Sequence, residues 1–204
     1  TEMSRVLNHS QIVRIHSLNT SVLQWNLSAL VMEQAILGGG CFWCVEGAYK
    51  RIKGIHSALP GYAGGDRPNP TYEAVCSGTT GHAEIVIIDY DPEIISFETI
   101  LEVFFTVHDP TQLNRQGNDV GTQYRSCIMP ISKEQEETAM TSIESFAPMF
   151  DKPIVTTIEE AKHLTVAEAY HHDYYARNPT QGYCAMVVGP KLAKVRKKLA
   201  HLYQ

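Results

Sequence analysis

The segment His82–Pro92, HAEIVIIDYDP, most restricts what this chain folds into. Its apolar residues do not alternate with polar ones. A strand of that kind is buried on both faces and belongs at the centre of a sheet. A sheet with two buried faces needs other layers to cover it, and the flanking segments supply helices.

Strands and helices interleave from residue 33 onward. QAIL (34–37) reads as a short apolar strand closed by Gly38–Gly40, and a helix follows over about 42–52, stopped at Gly54. IHSALPGYAGG reads as a strand running into a glycine loop. In NPTYEAV, Asn69 is placed to cap a short helix, with Pro70 at its first position and Tyr72 on it. Ser96 caps a helix to about Val107, and YRSCIMP is a further strand. Ser132 and Gln135 form a capping box for a helix ending before Pro148, and IVTTI reads as a strand. Thr165 and Glu168 form a second capping box, for a helix ended by Asn178-Pro179. A basic helix closes the chain. This pattern predicts an α/β (α+β) two-layer sandwich, a sheet covered by helices. Residues 1–31 hold only Glu2, Arg5 and Arg14 as formal charges and read as an N-terminal extension; residues 32–204 read as one catalytic domain.

The net charge of -5 and a pI of about 6.0 give no overall nucleic-acid footprint. The one basic run, KLAKVRKKLA (191–200), reads as a solvated helix face. No apolar run reaches the length of a membrane span. Five cysteines, at 41, 44, 76, 127 and 184, are too few and odd in number for a secreted disulfide framework. They fit a reducing, cytoplasmic compartment.

The stretch GGGCFWCVE (38–46) carries the chemistry. Cys41 falls where a strand ends, glycines turn the chain and a helix begins. Free N–H groups and the positive end of the helix dipole predict a thiol that ionises more easily than usual. Zinc needs four ligands and only one cysteine pair exists, so no metal site is expected. A dithiol formed by Cys41 and Cys44 remains open at this level, because C-x-x-C at a helix start is also a redox signature. Cys44 reads equally as a core residue. Glu84 opens the buried strand, where burial makes a carboxyl resist ionisation. Tyr72, Asp119 and Tyr124 each read singly as packing or turn residues. Cys76 and Cys127 read as small buried residues. His82, His108, His171 and His172 read as structural hydrogen-bonding groups.

Taken together, GGCFW, NPTYEAVCSGTTGHAE, HDPTQLNRQGNDVGTQYRS and QGYCAMVVGPK closely resemble the A-type peptide methionine sulfoxide reductases, in the same order along about residues 33–191. The resemblance implies a ferredoxin-like core with a mixed sheet. It implies reduction of the S epimer of methionine sulfoxide, free or in proteins, without a cofactor. It assigns Cys41 as the nucleophile that becomes a sulfenic acid, and Glu84 as the acid, helped by Tyr72 and Tyr124. Phe42 and Trp43 become the wall around the substrate methyl, with Asp119 in support. Cys184 becomes the thiol that forms a disulfide with Cys41, carried on a loop, NPTQGYC, that bends toward the site. A thioredoxin-type reductant then restores the enzyme, which is expected to be a monomer. Cys44 stays open as an alternative partner for Cys41.

Overall fold

The Ile-Val run of the central strand divides its side chains between two layers. In the computed structural model, which describes residues 32–204, Val86 and Ile88 point into the main core, while Ile85 and Ile87 join a second cluster with Ala63, Cys127 and Met129. Four consecutive apolar residues thus serve two opposite faces, as the period of two in a strand requires. Residues 1–31, read as an extension, lie outside the described residues.

The strand holding them, β3 (Ala83–Tyr90), is antiparallel to β1 (Glu33–Gly39) on one side and to β2 (Ile55–Ala63) on the other. Outside β1 lies β6 (Ser126–Ile128), antiparallel to it, and then β7 (Thr157–Ile158), parallel to β6. β8 (Thr165–Val166) closes the far edge against β2. The sheet order is therefore β7-β6-β1-β3-β2-β8. Helix α1 (Phe42–Tyr49) joins β1 to β2, and α3 (Phe97–Val107) lies between β3 and β6. The four strands β6-β1-β3-β2 with these two crossovers form the split βαβ, ferredoxin-like core. Residues Glu33–Gln204 form one compact unit.

The covering layer is built from α1, α3 and α6 (Gly189–Lys198), which pack on one another. Between α1 and α3 the chain forms the short α2 (Tyr72–Cys76). A small hairpin, β4 (Arg115–Gln116) and β5 (Asp119–Val120), was not legible in the sequence. Helix α4 (Lys133–Phe146) stops before Pro148 as predicted. Its cap differs by one residue from the expected box: Ser132 Oγ accepts the amide of Gln135, but Gln135 Oε1 accepts from Ile131.

Three local readings are corrected. Thr71, not Asn69, caps α2. The helix expected from Thr165 does not form. Thr165 pairs with Tyr62 as strand β8, a single 3-10 turn spans Ala169–His171, and only α5 (Tyr174–Arg177) is helical. Thr165 is drawn into the sheet, and the carboxylate of Glu168 accepts from Tyr62 and Tyr72 rather than from the Thr165 amide that a capping box needs. Finally, Cys184 is not on a loop. It opens a π-helical turn (Cys184–Val188) continuous with α6, where its amide donates to Gln181 Oε1. Such a turn is often found at functional sites.

Candidate active site

Cys41 is the N-cap residue of α1, delivered there by the glycine turn. Gly38 runs so close to its neighbours that a Cβ would lie 2.7 Å from the Cys127 sulfur and 3.0 Å from the Glu84 carbonyl. Gly40 has φ +84, and a Cβ there would meet Gln116 at 2.6 Å. Side chains at either position would displace the turn.

Around the Cys41 sulfur lies a cavity of about 260 Å3 lined by Cys41, Phe42, Trp43, Tyr72, Glu84, Asp119, Tyr124 and Tyr183. Five separate parts of the chain contribute, and seven of the eight residues expected from the sequence converge here. Glu84 is 2% exposed, and its Oε2 accepts the amide N–H of Phe42 at 3.0 Å. Burial, and then the nearby Cys41 sulfur, push its pKa well above the usual carboxylate range, against the pull of the Phe42 amide. Burial thus favours the protonated form of this carboxyl. Burial likewise raises the phenols of Tyr72 and Tyr124, so both remain O–H donors.

The aromatic wall is larger than the sequence indicated. Phe42 stacks near Tyr72 with ring centres 6.4 Å apart. Trp43 lies flat on Tyr174, 3.9 Å away and 7° from parallel. His171 fills the space behind, 4.9 Å from the Phe42 ring and 4.5 Å from the Tyr72 ring. Neither of its ring nitrogens has a hydrogen-bond partner among the described residues. Its expected hydrogen-bonding role is thus replaced by packing. His82, His108 and His172 do bond as expected, to Gly65 and Arg67, to Phe104 and Ser126, and to Ala167.

Two expectations about the thiols are revised. Burial pushes the Cys41 thiol well above its ordinary range, and the adjacent Cys44 sulfur adds to this. The Trp43 amide acts in the opposite direction without prevailing. Loss of solvent at a sulfur only 7% exposed outweighs the helix N-terminus that predicted easier ionisation. Cys76 is partly exposed rather than buried. Cys44 is buried beside Cys41, and its amide donates to the Cys41 carbonyl at 3.0 Å.

Cys184 is fully buried in the same core cluster as Cys41 and Cys44, close enough for the Cys41 charge to raise its pKa after burial. It does not line the cavity; its neighbour Tyr183 does. The Tyr183 hydroxyl donates to Asp119 Oδ2 at 2.5 Å. The sequence reading missed Tyr183, although it stands inside the quoted QGYC and is the same residue type as Tyr72. All five cysteines are free. Among the described residues no cluster suited to a metal ion occurs, and no helix is long and apolar enough to cross a membrane.

Residues 33–203 match the family "Peptide methionine sulfoxide reductase". The chain belongs to the peptide methionine sulfoxide reductase family. The peptide methionine sulfoxide reductase MsrA of Nitratiruptor sp. is 54% identical over 84% of this chain and 97% of its own. That of Chromobacterium violaceum is 52% identical over 85% and 99%. The structure of methionine sulfoxide reductase A from Corynebacterium diphtheriae superposes with a TM-score of 0.70 at 36% identity, covering 76% of this chain and 78% of that one. Reduced Mxr1 from Saccharomyces cerevisiae gives 0.71 at 35%, covering 75% and 89%. Membership makes this peptide methionine sulfoxide reductase a thiol-dependent oxidoreductase of methionine sulfoxide.

Proposed function

We propose that the cavity around Cys41 reduces the S epimer of methionine sulfoxide, free or in proteins, through the residues that line it. Sulfoxide sulfur is a poor electrophile until its oxygen is protonated or strongly hydrogen-bonded. Glu84 supplies the proton, and the Tyr72 and Tyr124 hydroxyls donate hydrogen bonds to the same oxygen. Phe42 and Trp43 hold the methyl group, while Asp119 holds the Tyr183 hydroxyl at the cavity edge. The Cys41 sulfur attacks the substrate sulfur and its thiol proton passes to the carboxylate left on Glu84; the oxygen ends on Cys41 as a sulfenic acid, and methionine leaves. Cys41 is thereby oxidised by two electrons as the substrate is reduced by two.

The Cys184 thiol then displaces water from the sulfenic acid, giving a Cys41–Cys184 disulfide. Its burial beside Cys41 supports that pairing, and the helical turn around it must open locally for the sulfurs to meet. A thioredoxin-type dithiol reduces the disulfide by exchange. The enzyme works as a monomer in a reducing, cytoplasmic compartment, a reading supported by its five free thiols.

The observation that carries this reading is a buried carboxyl, pushed towards its protonated form by burial, that accepts the amide following Cys41. A single-turnover assay tests it. Without reductant, wild type releases one methionine per Cys41, and Cys41→Ser releases none. Turnover by Cys41→Ser would overturn the assignment.

A further inference from the structure

Tyr72 stands on a helix of five residues. So short a helix has little stability of its own, so the aim of the Tyr72 hydroxyl must be set from outside it. Thr71 contributes a cap, with its Oγ1 accepting from Ala74 N at 3.4 Å. The firmer hold comes from Glu168. Its Oε1 accepts the amide N–H of Tyr72 at 2.9 Å, and its Oε2 accepts the hydroxyl of Tyr62 at 2.8 Å. Tyr62 is fully buried on β2 and lies directly opposite Glu84 in the β2–β3 register. One carboxylate therefore ties the helix carrying Tyr72 to the strand pair carrying Glu84.

The same residue opens the segment that supplies the back of the aromatic wall. His171 and Tyr174 follow within six residues and pack on Phe42, Tyr72 and Trp43. Burial acts to raise the Glu168 carboxyl, but the Tyr72 amide, its own amide and the Tyr62 hydroxyl together outweigh it and hold the group below the usual range. Hydrogen bonds to a charged acceptor are shorter and stronger than neutral ones, which suits a tether.

We propose that Glu168 is a positioning residue for the reduction, fixing the Tyr72 hydroxyl relative to the Glu84 carboxyl so that both meet one sulfoxide oxygen. It touches no reacting atom. The inference rests on the reading of Tyr72 as a hydrogen-bond donor to that oxygen. Misplacing a catalytic group by about 1 Å costs up to about 100-fold in rate.

The test is single-turnover release of methionine from an S-sulfoxide peptide by wild type, Glu168→Ala, Glu168→Gln, Tyr72→Phe and the Glu168→Ala/Tyr72→Phe double variant. Glu168→Ala is expected to slow release about 10- to 100-fold, with substrate affinity within about threefold of wild type. Glu168→Gln keeps an oxygen for the Tyr72 amide and recovers most of the rate. The double variant is no slower than Tyr72→Phe alone, because Glu168 acts through Tyr72. Alkylation of Cys41 by iodoacetamide keeps its wild-type rate in all of them. Should Glu168→Ala fail to fold, Glu168→Asp serves in its place, since it withdraws the carboxylate by one methylene and keeps its charge. Full multiplication of the two single effects, a wild-type rate for Glu168→Ala (or for Glu168→Asp in its place), or a parallel fall in Cys41 alkylation would overturn the inference. A wild-type rate for Tyr72→Phe would instead sink the reading of Tyr72, and this inference with it.

Discussion

Glu84 Oε2 accepts the backbone N–H of Phe42 at 3.0 Å, which ties the proposed acid to the residue directly after the proposed nucleophile. Glu84→Gln keeps an acceptor for that amide but loses the transferable proton. Its single-turnover rate is expected to fall about 100-fold or more. Iodoacetamide still reaches Cys41 at the wild-type rate, because the sulfur and its surroundings are unchanged. A Glu84→Gln enzyme with near wild-type turnover would exclude general acid catalysis by this residue.

The resting thiol of Cys41 is held neutral by burial, not activated. The rate of its alkylation should therefore rise with pH and reach half-maximum above the ordinary thiol value of about 8.5. The Trp43 amide pulls in the other direction without prevailing. Iodoacetamide kinetics from pH 6 to 11 read the midpoint. A midpoint below the ordinary value would mean that the helix N-terminus governs the sulfur after all.

Cys184 and Cys44 make different predictions as partners of Cys41. With Cys184 as the partner, Cys184→Ser still releases one methionine per enzyme but does not turn over with a thioredoxin-type reductant. A dimedone adduct then accumulates on Cys41, and Cys44→Ser turns over normally. Mass mapping of the oxidised wild type should give a Cys41–Cys184 peptide. A Cys41–Cys44 product with Cys184→Ser fully active would reverse the assignment.

Legibility divides by the range of the forces involved. Strand β3, the glycine turn, and the Ser96 and Ser132 caps are set by neighbours in sequence, and the chain states them directly. Glu168 shows the limit. Three residues after Thr165 it has the spacing of a capping box, yet both its oxygens are taken by Tyr62 and Tyr72, about a hundred residues earlier. No local pattern carries that. Cys184 fails for the same reason, because burial against α1 and α6 folds a segment whose glycine and proline suggested a loop. At the site, the resemblance of the motifs to a known family named Cys41, Glu84 and the aromatic wall, which residue types alone did not. The ionisation of Cys41 was not legible, because it depends on how completely the sulfur is covered. His171 and Tyr174 pack behind the wall from a segment with no local sign of it, whereas Tyr183 lines the cavity from within the quoted QGYC.

Glu46 gives a stability prediction that does not involve the reaction. It is 2% exposed on α1, where Oε1 accepts the Asp173 amide at 2.8 Å, and Lys50 stands 3.9 Å away and pairs with Asp173. Burial raises its pKa to about 7, against the opposing effects of the Asp173 amide and Lys50. A raised acid pKa means the native state keeps its proton after the unfolded chain has lost it. Between about pH 4.5 and 7 the native state binds more protons, so stability falls as pH rises and levels off above about 7. Glu46→Gln cannot ionise and should lack this component. Urea unfolding at pH 5 and pH 8 should show wild type losing on the order of 2 kcal/mol more than Glu46→Gln between the two. Equal losses in both proteins would show that Glu46 is ionised in the fold at the lower pH.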